Sequence, residues 1–371
     1  MNRRRLLGSA SAALALSGTA RADFRKASTA GRPAPPSKMK LGCQSGPITD
    51  KRLEFFKRHS VNNICGLAER SDARGAYTAD ELSRLRDQCS KHGVSLDMIT
   101  PPFLASVQID QVARPSIMLG KSPERDRDID EFCKLIRNCA AAGIPAVKYN
   151  INILGVLRTE PELGRGGAIH RAWRLTAAKD RQTAPTKAGR VTGDVFWERI
   201  DYFLSRVVPV AAENKVRIAC HPQDPGTPPE GYQGITNVLG TIDGMKKFIA
   251  MYESPYHGFN FCQGTVSENL VNPKEEIFDV IRYFGSRKKI FNVHFRNIKG
   301  GRNNFIAEMF PDEGDIDFVQ ALKVYREVGY DDMLMPDHAP AVPGDPNAQR
   351  ENFPFIFGYI RGLIQAENAI A

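Results

Sequence analysis

Lys289-Ile290-Phe291-Asn292-Val293-His294-Phe295-Arg296-Asn297 reads as a buried strand that ends in polar chemistry. Ile290, Phe291 and Val293 are apolar enough for the inside of a sheet, and His294 stands where such a strand runs out. Arg296 and Asn297 follow at once. A histidine and an arginine at one strand end can hold a metal and an anion side by side. Three other strand-like runs end in the same manner, and that recurrence decides both the fold and the chemistry.

Working outward, strand-like runs fall at 39–43, 63–67, 95–99, 146–150, 216–220, 258–261, 290–294 and 333–335. Amphipathic helices lie between them. Thr78-Ala79-Asp80-Glu81 is a capping box, and its helix stops at Gly93. Asn272-Pro273 opens a helix whose Ile277, Val280, Ile281 and Phe284 keep helical spacing up to Gly285. Asp315 or Asp317 opens the next, with Phe318, Leu322, Tyr325 and Val328 leading to Gly329. Helices repeatedly close on Gly or a polar pair just before a strand: His92-Gly93, Ala142-Gly143, Asn214-Lys215 and Val328-Gly329. Eight such units in 371 residues predict a single α/β domain, a (β/α)8 TIM barrel. No Gly-rich phosphate loop follows an early strand, which argues against a doubly wound sheet.

The first residues stand apart. Arg3-Arg4-Arg5-Leu6-Leu7, an Ala/Leu-rich run to about Leu16, and Ala20-Arg21-Ala22 form the charged region, apolar region and A-x-A site of an export signal. The Arg pair before x-Leu-Leu resembles a twin-arginine signal, and the apolar run is too short for a membrane span. The expected division is a signal at 1–22, a linker at 23–38 and the catalytic barrel at 39–371, in the periplasm. The signal carries Arg3, Arg4, Arg5 and Arg21 and no acid, so cleavage takes the net charge from +9 to about +5. No Lys/Arg block with interleaved aromatics is present, so nucleic acid is not an expected partner, nor is a membrane after cleavage. An anionic small molecule suits the local arginines better, and a homo-oligomer is left open. Seven cysteines, odd in number and unpaired in spacing, read as free thiols, most of them buried packing.

One connection is too long for a barrel loop. Residues 151–193 show no apolar periodicity and carry Arg158, Arg165, His170, Trp173 and Arg181. The segment leaves the C-terminal end of strand four, where barrel active sites sit, and reads as a basic lid.

Strands five to eight end in His221, Cys262, His294 and Asp337, each roughly one β/α unit, about 30–40 residues, from the next. Four consecutive strands would aim two imidazoles, a thiolate and a carboxylate into one mouth. Imidazole and thiolate favour Zn2+, Fe2+, Co2+ or Ni2+, and the carboxylate also admits Mn2+. Cys220 should point opposite to His221 and is packing. His257 precedes its strand, and His59 and His92 belong to helix ends.

These residues carry a family resemblance. His221-Pro222-x-Asp224-Pro225, Cys262-x-Gly264, His294-x-Arg296-Asn297, Gly314-Asp315-x-Asp317 and Pro336-Asp337-His338 resemble the motifs of mannonate dehydratases. Tyr149-Asn150, Leu157-Arg158-Thr159 and Trp173 fit as well, over about 127–337. The resemblance implies a xylose-isomerase-like barrel and conversion of D-mannonate to 2-dehydro-3-deoxy-D-gluconate and water. It implies a divalent metal on His221, Cys262, His294 and Asp337, Mn2+ foremost, with Fe2+, Co2+ or Zn2+ as alternatives. It also implies substrate contact by Arg296 and proton transfer by His338. For the second acid/base the candidates in order are Tyr149, His170 and Glu308. Arg158 and Arg165 join Arg296 as carboxylate binders, with Asn150, Asn297 and His170 beside the substrate. Two family features are absent: the histidine expected near Glu308 is Ile306 or Ala307, and no Tyr stands at 349–357. The rival readings are a metal-dependent sugar isomerase or epimerase on the same barrel, and a periplasmic sugar-acid binder without turnover.

Overall fold

Alternating parallel strands and helices close into a barrel because each strand buries both faces, one against helices and one against the barrel interior. The computed structural model describes residues 37–67, 75–179, 185–345 and 351–370. The segment expected to be an export signal, nearly all of the expected linker and Arg181 lie outside them. The barrel strands are β1 (Lys40–Ser45), β2 (Asn63–Gly66), β3 (Ser95–Ile99), β4 (Ala146–Asn150), β5 (Arg217–His221), β6 (His257–Cys262), β7 (Ile290–His294) and β8 (Met333–Met335). Each pairs in parallel with its sequence neighbours, and β8 closes on β1. This is the (β/α)8 barrel expected from the strand–helix alternation.

The strand period of two sorts the side chains into two cores. Inside the barrel Cys65, Met98, Ala146, Ala219, Phe291, Met333 and Met335 pack together. Outside, between sheet and helices, lies the larger core, with Tyr149 against Phe132 and Phe203 at ring separations of 5.3 and 5.6 Å. All seven cysteines are free and buried. Burial pushes the thiols of Cys43, Cys65, Cys139 and Cys220 up to about 12.

Helix ends follow the local chemistry. Thr78 and Glu81 make both bonds of the capping box, and Asp317 caps helix Phe318–Glu327 through Gln320 N at 2.9 Å. Gly143, at φ 71°, ends helix Glu124–Ala142 in the left-handed conformation that favours glycine. Asn272 occupies the expected cap position, but its side chain makes no cap bond. Its N–H instead donates to Glu276 at 2.5 Å.

Two connections depart from plain loops, and both lie at the C-terminal mouth. After β7 the chain makes an antiparallel hairpin, Asn297–Gly301 and Asn304–Met309, before helix Phe318–Glu327. The long segment after β4 contributes Ala172–Arg174 as the hairpin's third strand, with Trp173 opposite Phe305. A second pair, Glu162–Leu163 with Ile169–His170, lies in the same segment. The expected irregular lid is therefore stitched to the strand-seven excursion by backbone hydrogen bonds. Among the described residues no helix is long and apolar enough to cross a membrane.

Candidate active site and metal centre

The register sets the ligand level. Asn150 lies beside His221, and His294 lies between Cys262 and Met335, so the ends of β4 to β8 stand at similar heights. Pro336 ends β8, and Asp337 then turns inward. One donor atom each from His221, Cys262, His294 and Asp337 lies within 4.8 Å of every other. Asp337 Oδ2 is 3.2 Å from His294 Nδ1 and 3.8 Å from Cys262 Sγ. Ligands bound about 2.0–2.3 Å from one ion stand roughly 3.3–3.8 Å apart, so the cluster has the right size.

The atoms behind the cluster orient it. His221 Nδ1 donates to the Pro222 carbonyl at 2.6 Å, which turns Nε2 inward. The Asn260 amide meets His294 Nε2 at 3.2 Å and leaves Nδ1 facing Asp337. A far ring nitrogen that donates, as Nδ1 of His221 does, fixes the tautomer that leaves the other nitrogen free for a metal. Among the described residues Asp337 Oδ1 is buried without a hydrogen-bond partner, an arrangement a bound cation would resolve. Burial, reinforced by Lys148, lowers His221 to about 4 and keeps its imidazole neutral. Burial alone would raise the Asp337 carboxyl, but Arg296 and His294 hold it well below the usual carboxylate range. The residues thus fit a divalent metal by donor type and spacing, with His221 neutral and Asp337 ionised.

Arg296 anchors the next layer. Its Nη2 lies 3.0 Å from Thr265 Oγ1, 3.1 Å from Glu268 Oε1, 3.4 Å from Asp224 Oδ2 and 3.5 Å from Cys262 Sγ. Its Nε and Nη1 have no partner within hydrogen-bond reach. Gly264 makes room for it, since a Cβ there would come 2.4 Å from Arg296 Nε. Arg158 closes the cluster by donating to both Asp224 oxygens, at 2.6 and 3.2 Å. Burial would raise Asp224, yet Arg158 and Arg296 hold it ionised; Glu268 is pushed up by burial and by the Asp224 charge.

The profile of the family described as D-mannonate dehydratase (UxuA) matches residues 177–369, just over half of the chain. The chain belongs to this family. Mannonate dehydratase 2 of Halalkalibacterium halodurans is 25% identical over 81% of this chain and 90% of that protein. The Thermotoga maritima mannonate dehydratase is 28% identical over 72% of this chain and 79% of its own length. The crystal structure of mannonate dehydratase from Streptococcus suis serotype 2 superposes with a TM-score of 0.76, covering 91% of this chain and 95% of that one at 23% identity. That likeness speaks for the fold. All four metal-cluster residues fall inside the stretch matched by the mannonate dehydratase family.

Several expected site residues find other work in this family member. Tyr149 is fully buried and packs among the helices, because it alternates with the inward-facing Lys148 and Asn150. It therefore does not reach the mouth. Asn297 spends all its hydrogen-bonding capacity on the protein. It donates to the carbonyls of Pro311 and Ile316 and accepts from the N–H groups of Ile298 and Ile316, bracing the loop around Gly314. Arg158 is bound to Asp224 rather than open to an anion. Arg165 is half-exposed and pairs with Asp312 at 2.7 Å and Glu313 at 3.7 Å, tying the long loop to the end of the hairpin. His170 is buried with Nδ1 3.2 Å from the Glu308 carbonyl, so it supports a backbone rather than facing substrate. Asn150 keeps its place beside His221.

Glu308, last of the three acid/base candidates, is the one brought to the cluster. Among the described residues its Oε1 is buried without a hydrogen bond, 3.6 Å from Arg171 Nη1, 3.9 Å from His338 Nδ1 and 4.0 Å from Arg296 Nη1. Its φ of 58° is left-handed, a strain kept where structure over-determines a residue, often at functional sites. His338 is 46% exposed, and its Nε2 lies 3.9 Å from Asp337 Oδ2. Residues that sequence reading left without a role are Asp224, Glu268, Asn260 and Lys148. Strand alternation alone signals the last, as Ala146, Lys148 and Asn150 share one face of β4.

Proposed function

We propose that this chain dehydrates a sugar acid, D-mannonate in the first instance, to 2-dehydro-3-deoxy-D-gluconate and water. The observation that carries the reading is the meeting, at one barrel mouth, of a four-ligand cluster with a buried carboxylate and a half-exposed imidazole. A divalent ion held by His221, Cys262, His294 and Asp337, Mn2+ foremost, would polarise the substrate carboxylate and 2-hydroxyl and so ease loss of the C2 proton. Glu308 Oε1, buried with no hydrogen bond spent among the described residues, takes that proton. His338, open to solvent, gives a proton to the 3-hydroxyl as its C–O bond breaks, and water leaves. The enol that remains takes up a proton at C3 and becomes the 2-keto acid. Arg296 offers Nε and Nη1 to the substrate's oxygens, held in place by Asp224, Glu268 and Thr265.

Incubation of the metal-reconstituted protein with a panel of aldonic and uronic acids, read by mass, tests the reading. Loss of one water with appearance of a keto-deoxy acid supports it. A product of unchanged mass would mean an isomerase or epimerase, and binding without conversion would mean a binder. Glu308→Gln keeps the shape but not the basicity, and should lower turnover by about 10²-fold or more at unchanged metal content. Normal turnover in that variant would put the base elsewhere.

Export is proposed on the strength of Arg3-Arg4-x-Leu6-Leu7 and Ala20-x-Ala22. Replacing Arg3 and Arg4 together with Lys should move mature protein from the periplasmic to the cytoplasmic fraction. An unchanged distribution would remove the twin-arginine assignment.

A further inference from the structure

The interior of a (β/α)8 barrel is ordinarily filled by branched apolar side chains. Lys148 breaks that rule on β4. Its neighbours Val147 and Tyr149 face the helices, while Ala146, Lys148 and Asn150 face inward. The register puts Lys148 beside Ala219 and Asn150 beside His221, so Lys148 stands one pleat below the ligand ring. Ala146 and Ala219 are small, and the lysine stretches past them to β1, where Nζ donates to Gln44 Oε1 at 2.9 Å. Only 7% of the residue is exposed. Among the described residues it forms no ion pair with a carboxylate, although Asp337 and Cys262 lie close enough for their charges to act on it.

A buried ammonium with one neutral acceptor is costly, and burial lowers its pKa accordingly. The other cations at the mouth are differently placed. Arg158 and Arg296 rest on Asp224 and Glu268, and Arg165 on Asp312. Asp337 answers to the metal cluster and is already paired with Arg296 and His294. Lys148 is left as a positive charge beneath the site without an anion of its own, on the side of the barrel opposite Arg296.

We infer that Lys148 binds the substrate's carboxylate and is the residue that selects a sugar acid over a neutral sugar. The inference rests on the sugar-acid reading above and names the chain's own group for its anion. It also accounts for a lysine where stability alone would favour Met or Leu.

The test uses Lys148→Met and Lys148→Arg in the metal-loaded protein, with Lys148→Gln as a second neutral variant should the Met form fold poorly. Titration calorimetry with D-mannonate and with its neutral counterpart D-mannitol, in a Glu308→Gln background to slow turnover, reads affinity apart from chemistry. Removing the charge should weaken D-mannonate binding by about tenfold or more, as for a lost hydrogen bond to a charged group. D-mannitol binding should stay where it was, and Lys148→Arg should recover part of the loss. In the otherwise native protein KM should rise more than kcat falls, while the melting temperature holds or climbs. Equal affinity of Lys148→Met and the parent for D-mannonate would overturn the inference. So would an equal loss for D-mannonate and D-mannitol, which would make Lys148 a general shaper of the cavity. Should the parent dehydrate no sugar acid, the dehydratase reading fails, and the two titrations still decide the role of Lys148.

Discussion

Asp337→Ala is expected to strip the ion and end turnover together, whereas His338→Ala keeps the ion and loses turnover by about 10²-fold or more. The two residues are adjacent but differently engaged. Asp337 is buried, with Oδ2 3.2 Å from His294 Nδ1 and 3.8 Å from Cys262 Sγ, and it supplies one of two negative charges to the cluster. Without it, three donors remain and the charge balance against a divalent cation is halved. His338 contributes no donor atom to the cluster of four and faces Glu308 across 3.9 Å at the open mouth. Elemental analysis, turnover and substrate affinity on both variants separate the roles. Loss of metal from His338→Ala with retention in Asp337→Ala would mean that the ligand set is wrong. If both variants held metal and turned over normally, the active site would lie elsewhere.

Asp224→Ala should cost about 3–5 kcal/mol of folding stability, the range for removing one partner of a buried ion pair. Asp224 sits between two guanidinium groups, 2.6 Å from Arg158 Nη1 and 3.4 Å from Arg296 Nη2, and accepts from Thr265 Oγ1 at 3.0 Å. Its loss leaves two buried cations sharing Glu268, whose own ionisation burial disfavours. Denaturant unfolding of parent and variant measures the cost. The double variant Arg158→Met, Asp224→Leu should recover much of it, because an apolar pair can replace a buried ion pair at little loss. A change within about 0.5 kcal/mol for Asp224→Ala would mean that the cluster is solvated and the arginines are held by other means.

The barrel was legible in the sequence because its signals are local: a capping box at Thr78, glycines such as Gly143 before strands, and apolar runs of strand length. The candidate metal cluster was legible for a related reason. Few residue types bind transition metals, and a barrel brings every strand end to one mouth. Parity of the strand decides which β4 residue can face the mouth. Tyr149 and Asn150 are neighbours and cannot both face the mouth, so nominating both contained one error. Asn297 looked free because the Pro311 and Ile316 groups that saturate it lie beyond a hairpin. That hairpin was itself hidden, since Asn304–Met309 finds its outer partner in Ala172–Arg174, far off along the chain. Arg158 and Arg165 read as open cations for the same reason: Asp224 and Asp312 are distant in sequence and adjacent in space. Long-range pairing of charges leaves no local trace.

All four cluster residues, Arg296, Glu308 and His338 come from β5 onward, while Gln44, Lys148 and Asn150 come from β1 and β4. On the proposed reading the barrel divides into an arc that performs the reaction and an arc that meets the rest of the substrate. Parallel strands joined by helices keep the arcs mechanically continuous, yet their side chains answer to different demands. Selectivity can drift through changes on the substrate-contacting arc without disturbing proton transfer on the other. Such a division would let an enzyme take on new substrates while keeping its reaction.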